Sequence, residues 1–207
     1  MTTRQRLFGA VMALGLLAAC GEQDVVLSGE RLDIRDGMVG ALADEAVAQR
    51  AFTMPAARAN ADWTHRNGGP EHPGGHLALG GALTQVFAVN IGQGDGRRAR
   101  ITADPVVAGG VIYTLDAGAQ VAAVTAAGAL AWTRDLTPPT DNTRDASGGG
   151  LAVAGDRVLV STGFGEVSAL DAATGALIWT QDLDAPGGAA PTVANGLVYV
   201  VARDSRV

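Results

Sequence analysis

The sequence predicts an all-β fold, a β-propeller built of four-stranded antiparallel blades. Short apolar runs alternate with tight-turn signals, the whole pattern repeats along the chain, and its copies close on a strand bearing a tryptophan. The clearest copy lies within residues 150–183. Leu151, Ala152, Val153 and Ala154 form one run, turned by Gly155 and Asp156, and residues 157–161 form the next. Residues 163–166 turn the chain into 167–171, and residues 172–175 lead into 176–182. Runs of this length, rich in Val, Leu and Ile and punctuated by Gly and Asp, are strands joined by hairpins.

The repeat holds at several columns. Pro105 to Tyr113, Leu151 to Leu159 and Pro191 to Tyr199 align, with Ala108, Ala154 and Ala194 in one column at spacings of 46 and 40 residues. Trp132 and Trp179 each stand four residues after a glycine, Gly128 and Gly175. Residues 83–89 match the same strand, with Phe87 near the tryptophan position. The middle runs, 158–160 and 197–201, are apolar on both faces, whereas a sheet with one wet face alternates. A β-sandwich is the competing arrangement, but it does not require the recurring Gly-x-x-x-Trp. The expected content is about two complete blades and part of a third, because the repeat register puts Val207 at the start of a third strand. A chain truncated at its C-terminus is therefore expected, with residues 197–201 as its aggregation-prone edge.

Composition narrows the function. Of 207 residues, 29 are glycine and 17% are charged, which suits a compact body with many turns. All 15 basic residues are arginine and the net charge is −6, which argues against a nucleic-acid partner. The single cysteine excludes an internal disulfide.

That cysteine has a specific setting. Arg4 and Arg6 precede an apolar stretch over residues 7–18, too short to span a bilayer, which ends Leu17-Ala18-Ala19-Cys20-Gly21. This resembles a bacterial lipobox. The resemblance implies a signal peptide over residues 1–19, cleavage before Cys20 and acylation there. Sorting to the outer membrane is implied too, since Gly21 is not an aspartate. Residues 20–61 read as a tether, with a short helix conceivable over 40–52, and residues 62–207 as the partial propeller.

Two loops invite site chemistry. His65, His72 and His76 lie in a Gly/Pro-rich stretch with no acidic or cysteine residue at a ligand spacing, so a surface loop is expected and no metal. Gly92, Gly94 and Gly96 look like a phosphate loop, but no helical pattern follows, only Arg97, Arg98, Ala99 and Arg100.

Ala169, Leu170, Asp171, Ala172, Ala173, Thr174, Gly175 and on to Trp179 spell A-x-D-x-x-T-G-x-x-x-W. This resembles the tryptophan-docking motif of quinoprotein-type, PQQ-like propellers. The resemblance makes Ala169, Asp171, Thr174, Gly175, Trp179 and Trp132 structural docking residues, with Trp179 packing between blades. The first copy has Thr125 in place of the aspartate and a turn one residue shorter, so looser docking is expected there. Lipobox, tether and blades together resemble the BamB-type outer-membrane protein assembly lipoproteins, whose propellers close with eight blades. That family implies a non-catalytic scaffold on the periplasmic face of the outer membrane. It also implies a BamA-type barrel-assembly subunit and outer-membrane protein clients as partners, and no cofactor. Its partner-docking segment, hydrophobic-x-hydrophobic-Arg-Gly-x-x-x-Pro-Thr, matches at Leu183, Ala185, Gly187, Pro191 and Thr192, with Pro186 where the arginine stands. The alternative is a PQQ-dependent dehydrogenase-like enzyme on the same fold. Such an enzyme needs grouped acidic ligands and a base, whereas the aspartates here sit singly at turns and strand ends.

Overall fold

A computed structural model describes residues 53–145 and 147–207. The expected signal peptide, Cys20, the helix over 40–52 and most of the tether lie outside the described residues. No helix among the described residues is long and apolar enough to cross a membrane.

Two four-stranded antiparallel meanders and one hairpin follow in chain order. The first blade is β1 (Val106–Ala108), β2 (Val111–Leu115), β3 (Gln120–Thr125) and β4 (Leu130–Asp135). The second is β5 (Gly149–Ala154), β6 (Arg157–Thr162), β7 (Glu166–Asp171) and β8 (Leu177–Asp182). β9 (Thr192–Ala194) and β10 (Leu197–Tyr199) begin a third. Burial grades across each blade. β6 and β7 are buried along nearly their whole length, and β3 likewise, while β4 and β8 are mostly exposed. The core fills the space between the first two blades, around Val106, Tyr113, Val121, Leu151, Val160 and Leu170. That two-sided burial is why residues 158–160 are apolar on both faces, whereas the equally apolar run from Leu197 is exposed.

The two complete blades share one irregularity. Ala123 faces Trp132 and Val124 faces Leu130, and Ala169 faces Trp179 and Leu170 faces Leu177. Each outer strand thus carries one extra residue just before its tryptophan, a bulge that re-aims the ring.

That ring docks on the following blade. The Trp132 indole lies over Gly175, where an added Cβ would stand 2.5 Å from the ring. Its Nε1–H donates to the carbonyl of Ala172 at 3.0 Å, and the Tyr113 hydroxyl donates to the same oxygen at 3.2 Å. Burial, and then the nearby Asp171 charge, hold the Tyr113 phenol above its ordinary pKa, so it stays a donor. The Asp171 carboxylate builds the receiving turn, accepting the N–H of Thr174 at 2.8 Å and its hydroxyl at 2.7 Å. These bonds lower the Asp171 pKa. In the first blade, Thr125 Oγ1 accepts the Ala129 N–H at 3.2 Å instead, and Phe87 lies over Gly128.

Two sequence expectations meet a different structure. Residues 83–89 form no strand among the described residues, because no neighbouring strand there offers a ladder of hydrogen bonds. Leu83 and Val86 are accordingly exposed. Only Phe87 keeps the outer-strand role. The loop after Asp62 is not wholly on the surface, since His65 is 2% exposed.

Three consecutive residues at that point bind one column of the repeat. Trp63 and Val107 exchange backbone hydrogen bonds at 2.7 and 2.8 Å. The Thr64 carbonyl accepts the Val153 N–H at 2.8 Å, and His65 Nε2 accepts the Val193 N–H at 3.0 Å. Val107, Val153 and Val193 are equivalent residues of β1, β5 and β9, the edge strands of their sheets. Because the Val193 N–H can only donate, Nε2 is unprotonated, and the ring proton sits on Nδ1, 2.9 Å from Thr64 Oγ1.

Burial, reinforced by neighbouring His72, lowers the folded pKa of His65 from its ordinary 6.5. A histidine depressed in the folded state contributes stability that is full above the unfolded value and is lost as pH falls from there through the lower folded value. Denaturant midpoints should therefore drop below about pH 6.5, and His65→Gln, which keeps an acceptor without titrating, should flatten that part of the profile. At the blade junction, Gly175 has φ +71°, so Gly175→Ala adds backbone strain to the collision with Trp132. It should cost about 3 kcal/mol in equilibrium unfolding. Trp132→Ala should cost about 3 kcal/mol, and the double variant less than the sum, because removing the ring removes the collision.

Candidate functional site

The antiparallel meander sorts connections to two ends of each blade. One end carries only the tight hairpins at Gly109, Gly128, Gly155, Gly175 and Gly196. The other carries the β2–β3 and β6–β7 turns and the long links from β4 to β5 and from β8 to β9. Variety of sequence gathers at this second end.

The expected partner-docking segment lies here, in the link from β8 to β9. The Asp182 carboxylate accepts the Asp184 N–H at 2.7 Å, which turns the chain out of β8. The Leu183 N–H donates to the Gly165 carbonyl at 2.8 Å, and the Gly187 N–H to the Thr162 carbonyl at 3.0 Å. Ser161 Oγ donates to the Ala189 carbonyl at 2.6 Å, and the Arg203 N–H to the Pro186 carbonyl at 2.9 Å. The segment is thus seamed to the second blade on one side and to the chain after β10 on the other.

The three sequence-predicted contact residues fare differently. Leu183 and Ala185 are half-buried, with part of each side chain open. Gly187 is buried, and a Cβ there would lie 2.6 Å from the Thr162 carbonyl oxygen. Its requirement is close backbone approach. Asp184 and Pro186 are the exposed positions.

Sequence reasoning missed Arg203. Its stem covers Gly188, where an added Cβ would meet Cγ at 3.2 Å, and its guanidinium reaches Gly148, with Nη2 3.4 Å from that residue's Cβ position. The stem of an arginine therefore runs beside this segment, with its guanidinium at Gly148, although Pro186 occupies the arginine position of the motif. The only sequence signal was an arginine following the third copy of the repeat, and nothing local tied it to residue 188.

The carboxylates at this end have assigned partners or neighbours. Asp116 is buried and accepts three backbone N–H groups, from Gln93 at 2.6 Å, Gly118 at 2.8 Å and Gln120 at 2.7 Å. Burial, then the charges of Asp182 and Asp141, raise the Glu166 pKa. No group of three His, Cys, Asp or Glu side chains converges as for a metal ion among the described residues. His65 and His72 meet edge to face with centroids 6.5 Å apart, and His76 Nδ1 lies 2.7 Å from the Pro55 carbonyl.

The docking residues divide by role. Ala169 is buried on β7 opposite Trp179, while Asp171, Thr174 and Gly175 make the turn that receives Trp132. Trp179 itself is half-buried on β8. Gly187→Val should destabilise the fold by about 1–3 kcal/mol through forced displacement of the seam. Asp184→Asn, at an exposed left-handed position (φ 57°) that Asn tolerates, should change stability by under about 0.5 kcal/mol in the same unfolding assay.

Residues 117–207, from the β2–β3 turn through β10, match the family model described as "Outer membrane protein assembly factor BamB", and the repeats are of the PQQ-like kind. No curated protein matches the sequence. Among solved structures, a europium-containing methanol dehydrogenase is similar at 20% identity and a TM-score of 0.52, covering 67% of this chain and 27% of that one. The quinohemoprotein alcohol dehydrogenase of Comamonas testosteroni is similar at 27% identity and a TM-score of 0.44, covering 53% of this chain and 17% of that one. BamB of Moraxella catarrhalis is similar at 22% identity and a TM-score of 0.39, covering 50% of this chain and 35% of that one. The chain thus spans between 17% and 35% of these structures. What it shares with the methanol dehydrogenase is the fold.

Proposed function

We propose that the protein is a non-catalytic scaffold of the outer-membrane β-barrel assembly machinery. It binds a BamA-type subunit through the long-link end of the propeller and aids the folding and insertion of outer-membrane proteins. The observation that carries this reading is the family-model match over residues 117–207, which includes the whole β8–β9 link. In this reading Cys20 is acylated and holds the chain on the periplasmic face of the outer membrane. A single acyl chain anchors only marginally, so two or more are needed for stable residence.

The physical side of the proposal is that the link is pre-formed. Its backbone donors and acceptors are engaged with Gly165, Thr162, Ser161 and Arg203, so little ordering entropy remains to be lost on docking. Leu183 and Ala185 supply partly open apolar surface, and Arg203 supplies charge at the same end of the blades, with its guanidinium at Gly148. No cofactor enters this reading. The enzyme alternative needs free carboxylates, and Asp116 and Asp171 are committed to turn hydrogen bonds.

The test is co-purification with a BamA-type subunit. Leu183→Glu and, separately, Arg203→Glu should each reduce recovery of the subunit several-fold, with thermal melts run alongside to confirm folding. Unchanged recovery with both variants would remove this link from the interface. Failure of the unsubstituted protein to retain the subunit would sink the scaffold reading. Tight binding of the quinone with calcium, accompanied by dye reduction, would replace it with the enzyme.

A further inference from the structure

Arg97 and Arg98 sit at the tip of a loop whose base is fixed. The Asp95 carboxylate binds Arg100 Nη1 at 2.8 Å and accepts the Ile101 N–H at 3.0 Å. The Gly96 N–H donates to the Ala99 carbonyl at 2.8 Å, and the Ala99 side chain is buried. The nearest acid is therefore already matched by Arg100, which leaves the two tip arginines without it. Before the loop, the Gln93 N–H donates to the Asp116 carboxylate and the Gln93 carbonyl accepts the Ala117 N–H at 3.3 Å, which fastens this segment to the first blade.

The link from β4 to β5 brings Arg144 to the same place. Its neighbour Asp145 accepts the Asn142 N–H at 2.9 Å. Together Gln93, Arg97, Arg98, Arg144 and Asp145 line a cavity of about 470 Å³. Arg97, Arg98 and Arg144 form no ion pair among the described residues. In a chain of net charge −6, three guanidiniums from two separate segments facing one carboxylate are a local excess of positive charge.

We propose that this cavity binds a phosphate group carrying a small organic substituent. A guanidinium presents paired N–H donors that fit phosphate oxygens, and three of them offset a dianion even after Asp145 is counted. The volume exceeds what phosphate alone fills and accommodates a glycerol- or sugar-sized group. Two sources carry that chemistry, the headgroup of an anionic phospholipid and a free phosphorylated small molecule. The site lies apart from the β8–β9 link, so it stands or falls independently of the scaffold reading.

The full chain with Cys20→Ser, which removes any acyl anchor, is titrated calorimetrically with glycerol 3-phosphate. In parallel it is floated with phosphatidylglycerol and with phosphatidylcholine vesicles. Saturable binding of glycerol 3-phosphate, of phosphatidylglycerol vesicles or of both is expected. The combined Arg98→Ala and Arg144→Ala variant should weaken it at least about tenfold, whereas Arg157→Ala, at the opposite end of the blades, should leave it unchanged. Binding of vesicles alone assigns the lipid source, and binding of the soluble phosphate alone assigns the small molecule. Absence of saturable binding to either probe, equal flotation with phosphatidylcholine, or binding that the double variant leaves intact would each overturn the proposal.

Discussion

A blade is a sheet with two edges, and each edge leaves a row of N–H and C=O groups that must find partners once water is excluded. In this protein the first strands of three successive blades meet that demand through one short segment. Trp63, Thr64 and His65 take the backbone groups of Val107, Val153 and Val193 in turn. A buried donor left without a partner costs about 1–3 kcal/mol, so the segment is part of the fold's hydrogen-bond closure. It also explains why a histidine lies buried and neutral here. His65 is the side chain that continues a backbone ladder after the backbone itself has turned away toward Gly68.

The blades are joined at their outer side by a second device that works between, not within, repeats. Trp132 and Tyr113 leave the first blade and share the carbonyl of Ala172 in the second, with the indole seated over Gly175. The turn of the motif running from Ala169 to Trp179 therefore serves the tryptophan of the preceding blade, not its own. Trp179 sits one strand further out. Phe87 over Gly128 repeats the arrangement with a smaller ring and a turn built on a threonine hydroxyl.

These two devices leave one end of the propeller free to vary. The hairpin end is occupied by tight turns, while the long links collect at the other end, seamed to the blades by backbone bonds. Side chains there are released from structural duty in some places, as at Arg97, Arg98 and Arg144, and retained for it in others, as at Gly187 and Asp116. Chemical capacity and structural role thus separate residue by residue along the same loops.

The strands of the two complete blades, the repeat, its turns and the apolar middle strands were legible in the sequence. They rest on local physics, in which glycine and aspartate permit the turn dihedrals and two-sided burial demands continuous apolar runs. The docking residues were legible as types, because tryptophan and glycine recur at fixed spacing. Tertiary structure alone decided which glycine meets which tryptophan, since the partner lies a whole blade away. It buried His65 inside a stretch that reads as a surface loop, because the N–H it accepts belongs to a strand 128 residues later. It also left residues 83–89 without a ladder, set Gly187 against the Thr162 carbonyl, and laid Arg203 beside Gly188. Each of these depends on backbone groups and side chains distant in sequence that become neighbours only when the blades assemble, and no local pattern of residues encodes that distance.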